Sequence, residues 1–156
     1  MERKTKIDAE NGKQEIFITR EFDLPVELLF KAYEEAELVE QWMGTKVLKL
    51  ESRKHGSYLF ETTDPQGNKY RFSGAIHEFI PNQKIIRTFE FEKMPLGVQL
   101  EITEFERIDE HTSRLRIHTI YESAEKREQQ LRMPFAQGIN MAHNRMQEIL
   151  NKLKQK

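Results

Sequence analysis

A chain of 156 residues is long enough for one domain with its own apolar core. Charged residues make up 33% of it, the formal net charge is −1 and the two signs are interspersed, so no broad basic face for nucleic acid is expected. The absence of cysteine excludes a disulfide framework, a thiolate metal site and a cysteine nucleophile.

Residues 1–14 are polar and charged and end in the turn dipeptide Asn11-Gly12, which reads as a flexible N-terminal arm ahead of a single domain over 15–156. No apolar stretch follows Met-Glu-Arg-Lys-Thr-Lys, and no apolar run approaches a membrane span, so a cytoplasmic protein is expected. Glu15–Phe22 alternates, with Ile16 and Ile18 on one phase and Phe17 opposite, and predicts a strand. Pro25 is placed to open a helix, with Asp23 as its cap and Glu27 in its first turn. Leu28, Leu29, Ala32 and Tyr33 give that helix an apolar face. Glu34-Glu35 breaks the pattern, and Leu38, Val39 and Trp42 begin a second short helix that Gly44 ends.

From Lys46 to Tyr121 the period is close to two. Strands are expected at Val47–Ser52, Ser57–Thr63, Tyr70–Phe79, Lys84–Glu92, Val98–Arg107 and Ser113–Tyr121. Turn chemistry separates them, as in Asp64-Pro-Gln-Gly-Asn and Pro81-Asn82, and short turns between successive strands imply an antiparallel meander. Ser123 opens a mostly polar helix, and Pro134 restarts it. Phe135, Ile139, Ala142, Met146, Ile149 and Leu153 then follow at steps of 4, 3, 4, 3 and 4, an apolar stripe that only the sheet is large enough to receive. The basic stretch Asn151 to Lys156 reads as a frayed helix end. The order predicts an α+β fold in which a curved sheet holds one long C-terminal helix.

Several motifs resemble the START-like or birch-allergen-like superfamily, most closely its bacterial branch of proteins similar to the activator of heat-shock-protein-90 ATPase. They are Arg20-Glu-Phe-Asp-Leu-Pro with Leu28 to Tyr33, Leu38-Val-Glu-Gln-Trp-Met-Gly, Gly56-Ser-Tyr-Leu-Phe, and Asp64-Pro-Gln-Gly with Phe72-Ser-Gly. Pro81-Asn-Gln-Lys-Ile-Ile and Ser123-Ala-Glu leading to Pro134–Leu150 complete the set, which spans roughly residues 15–153. The chain departs from the family pattern at Glu34-Glu-Ala-Glu and at Met43, next to Trp42. The resemblance implies a helix-grip fold with a seven-stranded antiparallel sheet around the C-terminal helix, and a cavity for a hydrophobic or amphipathic molecule. Such families include lipid carriers, cyclases and chaperone activators, so the fold does not choose the function.

The residues themselves offer little chemistry. No two of His55, His77, His111, His118 and His143 sit at metal-ligand spacing, and no nucleophile elbow, phosphate loop or dinucleotide fingerprint is present, so no cofactor, metal or catalytic residue is assigned. His143 borders the helix stripe and reads as a boundary residue or a polar anchor. Gly138, inside the helix, reads as a kink or a point of close approach. Arg87 shares a phase with Ile85, Phe89 and Phe91. It is expected to snorkel from the strand end; facing inward it would need an anionic partner or ligand. The expected function is binding of a small hydrophobic or amphipathic ligand between sheet and helix. The candidate lining is Trp42, Tyr58, Phe60, Phe72, Phe89, Phe91, Leu100, Ile102, Ile117, Phe135, Ile139 and His143, with Tyr58, Trp42 and His143 giving directional polar contacts. A protein-interaction module, such as a co-chaperone, and a cyclase- or hydrolase-type enzyme are the alternatives.

Overall fold

The computed structural model describes residues 3–154; the ends of the arm and of the basic tail, residues 1–2 and 155–156, lie outside it. The strands are β1 (Lys6–Asp8), β2 (Glu15–Phe22), β3 (Lys46–Leu50), β4 (Ser57–Thr63), β5 (Lys69–Ile80), β6 (Lys84–Phe91), β7 (Val98–Arg107) and β8 (Ser113–Ile120). The helices are α1 (Val26–Glu34), α2 (Ala36–Met43), α3 (Ala124–Arg132) and α4 (Phe135–Lys154). One antiparallel sheet contains all the strands in the order β1-β2-β8-β7-β6-β5-β4-β3. This is an α+β helix-grip architecture with eight strands where seven were expected. The additional strand is Lys6–Asp8, inside the segment read as an arm, with Ile7 opposite Ile18. Three residues of mixed charge carry too little alternation to be seen in a sequence.

The two short helices form where the apolar spacing places them. The capping expectation fails: Asp23 makes no cap bond to α1, and its carboxylate pairs with Arg3 at 3.0 Å while the carbonyl of Pro25 accepts from Leu28 and Leu29. Gly44 ends α2 in the left-handed conformation, φ 66°, which suits a residue without Cβ. Ser123 caps α3 by accepting from the Lys126 N–H.

The core lies between the concave sheet face and α1, α2 and α4. Phe30 meets Phe105 and Phe79 at ring distances of 4.9 and 5.3 Å, and Tyr33 meets Phe105 at 5.3 Å. Gly74 on β5 is a point of close approach: a Cβ there would stand 2.0 Å from the Thr88 carbonyl oxygen and 2.7 Å from the Tyr58 ring. Its absence lets the Tyr58 hydroxyl cross the strand and donate to that carbonyl at 2.5 Å. On α4 the deepest residues are His143, Met146 and Leu150, while Ile149 and Leu153 pack at the core's margin. Two register shifts, at Val47/Lys49 and Ile76/Glu78, bend the sheet around this helix.

Candidate functional site

A cavity of about 300 Å³ lies beneath the first half of α4. Its floor is the inward phase of four strands, with Ile18 from β2, Arg87 and Phe89 from β6, Gln99, Glu101 and Thr103 from β7, and Ile117 and Thr119 from β8. Tyr33 and Trp42 close one side, Gln130 of α3 another, and Phe135, Gly138, Ile139, Ala142 and His143 of α4 form the roof. The floor therefore mixes apolar Ile18, Phe89 and Ile117 with polar Arg87, Gln99, Glu101, Thr103 and Thr119, beneath a roof that is mostly apolar.

The polar part of the lining centres on Arg87. It is 8% exposed and faces inward, so it does not snorkel to the strand end. Its Nε donates to Glu101 Oε1 at 3.0 Å, the two residues standing directly opposite each other in the β6–β7 ladder. The guanidinium also lies over the rings of Tyr58 and Tyr33, at 4.8 and 5.8 Å. Burial opposes its charge, but Tyr58, Glu101 and Tyr33 together outweigh that and hold its pKa above the ordinary arginine value. Burial pushes the phenols of Tyr33 and Tyr58 upward, so both are neutral near pH 7 and meet the cation through their ring faces. Beside the pair, Gln99 Nε2 donates to Gln130 Oε1 at 3.0 Å and so ties the floor to α3.

His143 forms the other polar feature. Its Nδ1 shares a 2.8 Å hydrogen bond with the Thr5 hydroxyl, and the Thr5 N–H donates to Asn140 Oδ1 at 3.1 Å, so the N-terminal segment is fastened to α4 beside the cavity. Burial, with the charge of Arg20 second, lowers the imidazole pKa from 6.5 to about 3. The folded value lies below the unfolded one, so this contribution to stability is fully present above about pH 6.5 and is lost as the pH falls from there toward 3. The expected slope is at most ~1.4 kcal/mol per pH unit. The carboxylates of Glu21, Glu61 and Glu106, also held below their ordinary 4.5, act in the same direction only at lower pH. Between about pH 6.5 and 5 His143 contributes a slope of this sign. Denaturant midpoints across that window should fall for the wild type and stay nearly level for His143→Gln; an unchanged slope in the variant would assign the proton uptake elsewhere.

Six of the twelve candidate residues meet at the cavity: Trp42, Phe89, Ile117, Phe135, Ile139 and His143. The other six stand elsewhere. Tyr58 and Phe60 are core residues, 2% and 1% exposed, with rings 4.9 Å apart, and Tyr58 backs the cavity by supporting Arg87. Phe72 and Phe91 pack on each other at 4.6 Å across β5 and β6. Leu100 and Ile102 sit on the outer face of β7, Leu100 being 37% exposed. Phe105 fixes that phase: its burial among Phe30 and Tyr33 turns Gln99, Glu101 and Thr103 inward, and a period of two leaves the even positions outside. Two of the expected polar contacts are already committed within the protein, since the Trp42 indole N–H donates to the Ala32 carbonyl at 2.7 Å and the Tyr58 hydroxyl to Thr88. An added Cβ at Gly138 would meet nothing, so no protein group requires a glycine there for close approach.

The polar lining residues that sequence reasoning missed include Tyr33, Gln99, Glu101, Thr103, Thr119 and Gln130, with Arg87 turned the unexpected way; Ile18, Met43, Tyr121, Ala142 and Arg145 were also missed. A signal existed: Arg87 and Glu101 share the inward phases of adjacent strands, and opposite charges on one face of a hairpin mark a cross-strand pair. Among the described residues no group of three or more His, Asp or Glu is placed to hold a metal ion, and no helix is long and apolar enough to cross a membrane.

The fold recurs among solved structures. A protein from Mycobacterium smegmatis is similar with a TM-score of 0.85 at 23% identity, over 94% of this chain and 96% of that one. A protein from Arthrobacter aurescens gives 0.85 at 20%, over 94% and 91%, and one from Nitrosomonas europaea gives 0.80 at 20%, over 94% and 100%. At these identities the likeness speaks for the fold alone. No curated protein matches at a significant level. The family model described as "Activator of Hsp90 ATPase homolog 1-like protein" matches residues 23–151, from the loop before α1 to the last turns of α4, and the chain belongs to that family.

Proposed function

We propose that the protein binds a small amphipathic molecule in the cavity between the sheet and α4. The supporting observation is the cavity's mixed lining, in which Phe89, Ile117, Phe135 and Ile139 share one space with a buried Arg87–Glu101 pair. A space of this kind, mostly apolar with a few converging polar groups, is the usual form of a small-molecule site. Its volume of about 300 Å³ suits a ligand of modest size. An acid–base enzyme is a poorer fit. The pocket's perturbed groups are displaced away from neutrality, His143 down to about 3 and the tyrosines upward, whereas proton transfer near pH 7 works best with groups tuned toward it.

Phe135→Ala tests the reading. Phe135 is a half-buried wall of the cavity and already lacks neighbours on one side, so its truncation should cost less stability than a fully enclosed aromatic, for which ~3–5 kcal/mol is usual. The same change should weaken binding of a neutral apolar fluorescent probe. Full destabilisation with probe binding untouched would make Phe135 ordinary core and place the bound probe elsewhere.

A second reading, a protein-interaction module, draws on the outer sheet face, where Phe17, Val98 and Leu100 are 43%, 41% and 37% exposed. It predicts no dependence of function on the cavity residues, and the same Phe135 variant separates the two.

A further inference from the structure

We propose that the polar part of the cavity lining selects a neutral headgroup carrying a hydrogen-bond acceptor beside a donor, a carboxamide being the simplest case, over an ionised one. This rests on the cavity-binding reading and supplies its ligand class. Arg87 and Glu101 both line the cavity, Arg87 more than nine-tenths buried, and they share a single hydrogen bond, from Nε to Oε1. Among the described residues the protein makes no hydrogen bond to the two terminal amino groups of Arg87 or to Glu101 Oε2. A donor edge and an acceptor edge thus stand side by side with nothing from the protein to meet them.

The charge balance decides what fits. The pair is neutral as a unit, so an ionised headgroup placed against it is attracted by one member and repelled by the other. Its lost hydration is then largely uncompensated in a space walled by Phe89, Ile117 and Ile139. A carboxamide carries no such cost. Its carbonyl accepts from an Arg87 amino group while its N–H donates to Glu101 Oε2, and both bonds are charge-assisted and strengthened by the low local dielectric. The Tyr33 and Tyr58 rings hold the guanidinium plane in place, which preorganises the donor edge.

Three medium-chain probes of equal length separate the possibilities: decanamide, decanoate and decylammonium, each competing with the neutral dye N-phenylnaphthylamine at about pH 8, where the carboxylate and the amine are ionised. Decanamide should displace the dye from the wild-type protein at a concentration lower by about tenfold or more, the effect of a single well-placed polar interaction. Glu101→Gln leaves Arg87 as an unbalanced cation, so in that variant decanoate should gain on decanamide by a similar factor. Equal displacement by all three would overturn the headgroup inference and leave binding in the cavity standing, as would decanoate binding tightest to the wild type. A dye that does not bind at all, with none of the three probes protecting the protein against thermal unfolding, would overturn the cavity reading itself and the headgroup inference with it. The wild-type comparison needs no variant, so a poorly folded Glu101→Gln does not stand in its way.

Discussion

Arg87→Ala is expected to destabilise the fold by about 3–5 kcal/mol, the range for removing one member of a buried ion pair. Three losses combine. Glu101, whose side chain is 17% exposed, loses its cation, and the Tyr58 and Tyr33 rings lose the guanidinium lying across them. The removed stem also leaves a void next to an existing cavity. The partial exposure of Glu101 to that cavity sets the cost toward the lower end, because water entering there can hydrate the carboxylate. The double variant Arg87→Met with Glu101→Leu distinguishes an orphaned charge from lost packing. Apolar residues of similar volume often replace a buried pair at little cost, so the double variant should recover most of the stability lost by the single one. Urea denaturation of the wild type, Arg87→Met, Glu101→Leu and the double closes the cycle, with Arg87→Ala measured beside it. A single-variant cost under about 1 kcal/mol would mean that the pair is hydrated like a surface one.

The fold was largely legible because its signals are local and repeat. Asn-Gly, Pro-Gln-Gly-Asn and Pro-Asn mark turns, the stretches between them alternate, and the observed strands from β2 to β8 fall within one or two residues of the expected ones. Pro25, Gly44, Ser123 and Pro134 punctuate the helices for reasons of backbone geometry that need no tertiary context. What failed was what only packing decides. On β7 the apolar residues Val98, Leu100 and Ile102 alternate with Gln99, Glu101 and Thr103, and the usual rule turns the former inward. Phe105 shares the polar phase and is anchored by Phe30 and Tyr33, residues 72 or more positions away, so a long-range contact reverses the strand. The same reversal hid the site. A charged pair on the inward face violates the pattern of apolar inside and polar outside, so alternation alone does not reveal it. Placing Leu100 and Ile102 inward turns Glu101 outward by alternation, which leaves Arg87 without a visible partner.

The C-terminal helix shows the same division between what spacing reveals and what packing decides, and it carries the second large expectation. The stripe of Phe135, Ile139, Ala142, Met146, Ile149 and Leu153 runs down the correct side of α4, but the deepest line passes through His143, Met146 and Leu150, at 3%, 0% and 1% exposure. The cause is the asymmetry of the groove: α1 and α2 pack along one flank of α4, so the enclosed face turns toward them and leaves Ile149 and Leu153 at the margin. Leu150→Ala should therefore cost about 2–5 kcal/mol, the range for truncating a fully enclosed aliphatic side chain. The upper half of that range is expected if Met146 and Phe22, which are also fully enclosed, cannot move into the void. Ile149→Ala should cost clearly less, since part of its surface already meets water and its removal empties less enclosed space. Neither change touches the cavity lining, so dye affinity should hold in both wherever the protein remains folded. Equilibrium denaturation of the two variants ranks the positions. Equal costs would mean that the helix sits about a quarter-turn from the described orientation, and the roof residues Ile139 and His143 would then no longer share the face that closes the cavity.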